Sequence, residues 1–264
     1  MASGIVNAPM LRTALAFTVG CAAALAAGCG GGDAREGGSG TSATPATTER
    51  VRISNDATPT RVDVGGYHLA IRCSGRGRPV AVLEAGYGLS SARWRRTQAV
   101  VQRTHRVCSY DRAGIGRSDD RPPDSERTTA DDLRVLLETV GVLPPYVLAG
   151  HSAGGAHAVE YAHVYPDEVA GIVLVDSVGT ALLPDRSLPL VVLEAGRERS
   201  SGWAAAQAAA ARLSDNSVHV VAPRSGHHIQ ASQPELVAAA IRAVARGGRL
   251  PPCRAFVRFG GACP

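Results

Sequence analysis

The pentapeptide Gly150-His151-Ser152-Ala153-Gly154 stands between the apolar run Tyr146-Val147-Leu148-Ala149 and a segment with helical patterning. A Gly-x-Ser-x-Gly sequence at a strand-to-helix turn presents a serine Oγ clear of the backbone, and the glycines let so sharp a turn close. Ser152 is therefore the candidate nucleophile. A serine hydroxyl attacks poorly until a base removes its proton, so a histidine must arrive from elsewhere in the fold, with a carboxylate behind it to orient the ring. The chain has eight histidines. His227 follows the last predicted strand and a glycine and precedes the last predicted helix, with His228 as its neighbouring rival and His151 expected to pack inside the elbow. Adjacent residues on an extended loop diverge, so the His227-His228 pair is read as offering one ring to the site and not as a metal centre. Asp176 ends the apolar run Gly171 to Val175, and a carboxylate at a strand's carboxyl tip faces the crevice where ligands collect in open α/β sheets. It is the first candidate for the acid; its alternative role is to cap the segment that follows.

These residues need strands that stop beside one another. Short β-rich runs cover Arg61 to Val64, Tyr67 to Cys73, Val80 to Glu84, Arg106 to Tyr110, Tyr146 to Ala149, Gly171 to Asp176, Leu190 to Glu194 and Val218 to Ala222. Several are continuous apolar runs, as expected of strands covered on both faces in a mostly parallel sheet. Helical patterns fill the intervals: Ala92 to Gln102, a segment opening at Thr129 and stopping at Gly141, Ala153 to Tyr165, Gly202 to Leu213 and Pro234 to Ala245. The predicted class is α/β, a sheet of about eight strands with helices on both faces.

Here the chain resembles the alpha/beta-hydrolase family over most of residues 60–246. Beside the elbow, Val82-Leu83-Glu84-Ala85-Gly86-Tyr87-Gly88 is similar to the family's loop after its third strand. Tyr110-Asp111-Arg112-Ala113-Gly114-Ile115-Gly116-Arg117-Ser118 is similar to the turn after its fourth, and Ser225-Gly226-His227-His228-Ile229 to the loop that delivers the histidine. The resemblance implies the order Ser152, acid, His227, and an oxyanion hole from the backbone N–H groups of Ala153 and Tyr87. In most family members the acid follows the next strand, where this chain reads Leu193-Glu194-Ala195-Gly196-Arg197-Glu198; Glu198 is the alternative acid there. Asp176 instead matches the lipase branch, whose acid follows the strand after the elbow. Asp111 and Arg112 are read as holding loops together. Only Ser177 to Pro189 separates Asp176 from the next strand, so the cap domain of many relatives is expected to be absent or minimal and the site open to water.

Composition narrows the alternatives. The 28 basic residues are all arginine, spread among 23 acids with 4% aromatic residues, which argues against a nucleic-acid surface. Without lysine there is no Schiff base, phosphate-loop lysine or pyridoxal anchor. After Arg12 an uncharged stretch runs to Gly28, too short for a membrane span and read as an export signal, 1–28. Leu25-Ala26-Ala27-Gly28-Cys29 resembles the lipobox of bacterial lipoproteins. Cys29 is thus the candidate lipidation site, with Cys21 as a second site and release as a soluble secreted protein as the alternative. Residues 29–48 read as a flexible tether, mostly Gly, Ser, Thr, Ala and Pro, and 49–264 as the hydrolase domain with a Cys-containing tail. The remaining Cys73, Cys108, Cys253 and Cys263 are an even number in an oxidising compartment and admit three pairings, of which Cys253 with Cys263 and Cys73 with Cys108 are favoured, against free buried thiols. The expected function is hydrolysis of small-molecule carboxylic esters by a Ser-His-Asp triad, exported and held on the outer face of the cell membrane, with no cofactor, metal or nucleic acid. An acyltransferase, a peptidase, and a non-catalytic surface protein retaining the fold are the alternatives; the oligomeric state has no signature.

Overall fold

The computed structural model describes residues 58–177, 183–197 and 200–264. The export signal, Cys29, the tether, Cys21, the domain start at Glu49 and the alternative acid Glu198 lie outside the described residues. Eight strands form one sheet: β1 (Thr60–Asp63), β2 (His68–Ser74), β3 (Val80–Glu84), β4 (Val107–Asp111), β5 (Tyr146–His151), β6 (Val169–Val175), β7 (Leu190–Ala195) and β8 (Ser217–Ala222). Their order is β1-β2-β4-β3-β5-β6-β7-β8. β2 pairs antiparallel with β1 and β4, and the pairs from β4 to β8 are parallel. The strand order reverses around β3, so chain leaves β3 and β5 toward opposite sides and opens a crevice at their carboxyl ends.

The apolar runs divide by the two-residue period of a strand. Tyr146 and Leu148 of β5 join Ile172 and Leu174 of β6 in a core on one face, and Val147 and Ala149 join Val173 and Val175 in a core on the other. Helices α2 (Thr129–Thr139), α3 (Ala153–Val164) and α4 (Ser201–Ala211) cover the first face, while α1 (Arg95–Val101) and α6 (Pro234–Ala245) cover the second. This is the predicted class. In α2, Thr128 accepts from Asp131 N–H and the Asp131 carboxylate accepts from Thr128 N–H, a reciprocal cap that fixes the helix start. Leu133, Leu136 and Leu137 then fall on one buried face.

Two features depart from the sequence reading. The helix expected from Ala92 begins as a 3-10 turn, Ser91–Trp94, before α1, with Trp94 fully buried. The tail, for which no element was expected, forms a 3-10 helix, Cys253–Phe259, and then pairs Ala262 with Val221, covering the outer edge of β8. A disulfide, Cys253–Cys263, closes that tail. Cys73–Cys108 is the second disulfide and joins residues directly opposite one another on β2 and β4.

Candidate active site

The crevice between β3 and β5 holds the elbow. Ser152 follows β5, N-caps α3 and has φ 52°, ψ −126°, a conformation that an L-residue holds only under constraint. The constraint is packing: a Cβ at Gly150 would strike the backbone of Gly154 and Gly155, and one at Gly154 would strike the carbonyls of Glu84 and Ala85 at the end of β3. Only hydrogen fits at either position, so α3 can start against β3. Ser152 N–H donates to the Val175 carbonyl at 3.2 Å, and Ser177 Oγ donates to the Ser152 carbonyl, tying the elbow to the end of β6.

Asp176 follows β6 and has φ 45°; it and Ser152 are the two non-glycine residues with positive φ among the described residues. Its side chain is 4% exposed. Oδ1 accepts from Ala195 N–H at 2.9 Å and from the Trp203 indole at 3.0 Å, and Oδ2 lies 2.6 Å from His227 Nδ1. Burial alone would raise the Asp176 pKa, but the hydrogen bonds from His227, Trp203 and Ala195 together outweigh it and hold the carboxyl below the usual range. An ionised carboxylate only accepts, so the His227 proton sits on Nδ1 and Nε2 carries the free lone pair. The His227 side chain is 46% exposed, open to solvent on the side away from Asp176.

His151, buried at the end of β5, shapes the floor. Its Nε2 donates to the His227 carbonyl at 2.9 Å, and its ring lies 4.6 Å from that of His227. Burial, reinforced by repulsion from His227, pushes its pKa down to about 4 and keeps it neutral. His228 does not diverge from His227: a short helix α5 (Ile229–Ser232) starts at once, the loop curls, and the His228 ring rests 5.1 Å from His151 and 5.4 Å from His227. The three rings pack on one another and do not converge on a point. No group of three or more His, Cys, Asp or Glu among the described residues has metal-ligand geometry.

The loop after β3 lies directly over the elbow. A Cβ at Gly86 would sit 3.0 Å from His151 Nδ1 and 3.2 Å from Ser152 Cβ, so glycine permits this approach. Tyr87 comes next, with its side chain 90% exposed. Arg112, from the turn after β4, grips the loop from behind: its two terminal nitrogens donate to the Ala85 and Gly86 carbonyls at 2.5 and 2.7 Å. Nη1 also faces the buried Glu84 carboxylate at 3.4 Å, which Tyr110 OH contacts at 2.5 Å. Asp111 accepts from the Ser91 and Arg117 N–H groups, so this turn joins loops as its sequence suggested.

Glu198, the alternative acid after β7, lies outside the described residues; Glu194, within β7 itself, is engaged 2.8 Å from His219 on β8. Sequence reasoning missed Ser177 and Trp203. Serine after an aspartate carries no signal, and nothing in the pattern of α4 says that an indole will reach a carboxylate distant in sequence.

The alpha/beta hydrolase fold pattern matches residues 79–234, more than half of the chain. The chain belongs to the alpha/beta hydrolase fold family. Within it, the chain is 36% identical over 105 residues to an AB hydrolase superfamily protein of Gibberella zeae, covering 38% of this chain and 33% of that protein. It is 34% identical over 125 residues to efuK of Hormonema carpetanum, a protein named as a transporter, covering 44% of this chain and 18% of efuK. The chain therefore spans a third or less of these two relatives. Among solved hydrolase structures, the esterase of Thermogutta terrifontis superposes with a TM-score of 0.61 at 22% identity, covering 72% of this chain and 98% of the esterase; at that identity the likeness speaks to fold.

Proposed function

We propose that this alpha/beta hydrolase cleaves carboxylic esters through Ser152, His227 and Asp176. The observation that carries the reading is the 2.6 Å contact of His227 Nδ1 with a buried Asp176 carboxylate, beside a serine held at positive φ. Ser152 Oγ attacks the ester carbonyl carbon while His227 Nε2 takes the hydroxyl proton, and Asp176 stabilises the imidazolium that forms. The carbonyl oxygen becomes an oxyanion, met by the N–H groups of Ala153 and Tyr87; Ala153 is the first residue of α3, where the helix dipole adds to the donor's effect. His227 returns the proton to the departing alkoxide, which leaves as the alcohol. Water, deprotonated by His227, then releases the acid from Ser152. The esterase of Thermogutta terrifontis, similar in fold, supports this reaction class.

The decisive experiment treats the purified protein with a fluorophosphonate probe and with p-nitrophenyl esters of graded chain length. Covalent labelling and turnover that both disappear in Ser152→Ala, with the thermal melt unchanged, are expected. An unlabelled wild-type protein that is folded would overturn the reading in favour of a non-catalytic member of the family.

A further inference from the structure

The third residue of α4, Trp203, sits at the back of the site without a role in the chemistry above. Its Nε1–H donates to Asp176 Oδ1 at 3.0 Å, and its ring stands edge-on to His227 with centroids 6.5 Å apart and planes at 74°. Ser200 caps α4 by accepting from Trp203 N–H at 3.2 Å, which fixes the residue's place at the helix start. Asp176 has two side-chain torsions. Its Oδ2 is held by His227, and Oδ1 has one backbone donor, Ala195, besides the indole.

We propose that Trp203 is a positioning residue: its indole N–H fixes the Asp176 carboxylate and moderates the negative potential at His227, while its ring edge backs the imidazole. The activity arm of this proposal rests on the Ser152-His227-Asp176 reading; its spectroscopic arm does not. The chain has two tryptophans, and the other, Trp94, is fully buried at the end of the turn before α1. The titratable and charged groups facing His227 are Asp176 from the end of β6, His151 from β5 and His228 on its own loop, with Arg93 acting on His228 from behind. His151 has a pKa of about 4, and burial with repulsion from His227 and Arg93 lowers that of His228, so neither ring carries charge near neutral pH.

The sign of the effect follows from the dipole. The indole N–H points its positive end at the carboxylate. Removing it leaves the site more negative, and a more negative site retains an imidazolium proton to higher pH, where the base is idle. Trp203→Phe keeps a ring and removes the donor. Its kcat for a p-nitrophenyl ester is expected to fall about tenfold, the size of one lost hydrogen bond to a charged group, with KM little changed. The acid limb of its pH profile is expected to lie at higher pH than that of the wild type. A packing role alone would lower the active fraction and leave the limb in place, and an unmoved limb with wild-type kcat overturns the proposal.

The second measurement needs no turnover. An imidazolium quenches indole emission at this range, so the emission of Trp203, taken as wild type minus Trp203→Phe, is expected to drop on acidification and to lose that titration in His227→Ala. A titration that persists in His227→Ala overturns the proposed contact. If esters and the fluorophosphonate probe fail while the emission still titrates with His227, the catalytic reading falls and the positioning contact stands.

Discussion

At the level of single residues, the site is built from two backbone conformations that side chains rarely adopt, Ser152 at φ 52° and Asp176 at φ 45°, each at the carboxyl end of a buried parallel strand. Such conformations persist where surrounding contacts over-determine them. Replacing Asp176 by Asn removes the anion that holds Nδ1–H, so kcat is expected to fall by about three orders of magnitude or more, whereas Glu198→Gln should change kcat little. Steady-state kinetics of the two variants assigns the acid; the reverse pattern would move it to Glu198. His151 gives a separate test in stability. Its folded pKa, about 4, lies below the ordinary histidine value of 6.5. Between those pH values the unfolded chain binds a proton that the folded chain refuses, so the folded state weakens as pH falls through that window and the penalty levels off below it. Urea denaturation at pH 7 and near pH 4.5 is expected to show a smaller loss in His151→Gln than in wild type, by up to about 3 kcal/mol.

At the level of elements, what matters is how loops from different strands are clamped together. Arg112 reaches from the turn after β4 to two consecutive carbonyls just before Tyr87 and lies against the buried Glu84. Lysine keeps the charge and cannot span both carbonyls, so Arg112→Lys is expected to lower kcat about tenfold with a small change in KM, as a loosened oxyanion donor would. Arg112→Leu leaves Glu84 without its cation and is expected to destabilise the fold by about 3 kcal/mol in denaturant titration. All eight strands were legible as short β-rich runs, several of them continuously apolar because they are buried on both faces of a parallel sheet, and the five long helices as helical patterns between them. The four-residue α5 was not, since one helical turn is too short to show a period, and its absence from the reading is why His227 and His228 were expected to point apart. The 3-10 tail escaped for another reason: it is held by the Cys253–Cys263 disulfide and by pairing to β8, not by a pattern of its own.

At the level of the whole molecule, the proposed reaction and the proposed export can be tested separately. The lipobox-like sequence before Cys29 supports the proposal of an exported protein tethered by lipid, in which several acyl chains would each add about 0.8 kcal/mol per buried methylene. Cys29→Ser is expected to abolish fatty-acid labelling and to shift the protein from membrane to soluble fractions, while a domain starting near Glu49 keeps wild-type activity on soluble esters. Retained labelling would redirect the assignment to Cys21. By itself, the sequence determined the alternation of strands and helices, the serine at a strand-to-helix turn and a short set of partners for it, because local sterics and burial act through neighbours in the chain. The tertiary structure decided which residues meet. It put the Asp176 carboxylate on His227 Nδ1, engaged Glu194 with His219, packed His151 and His228 around the candidate base and brought Trp203 onto the candidate acid. Those contacts join residues far apart in sequence, whose distances are set by strand order and register in the sheet, and no pattern along the chain encodes that order residue by residue.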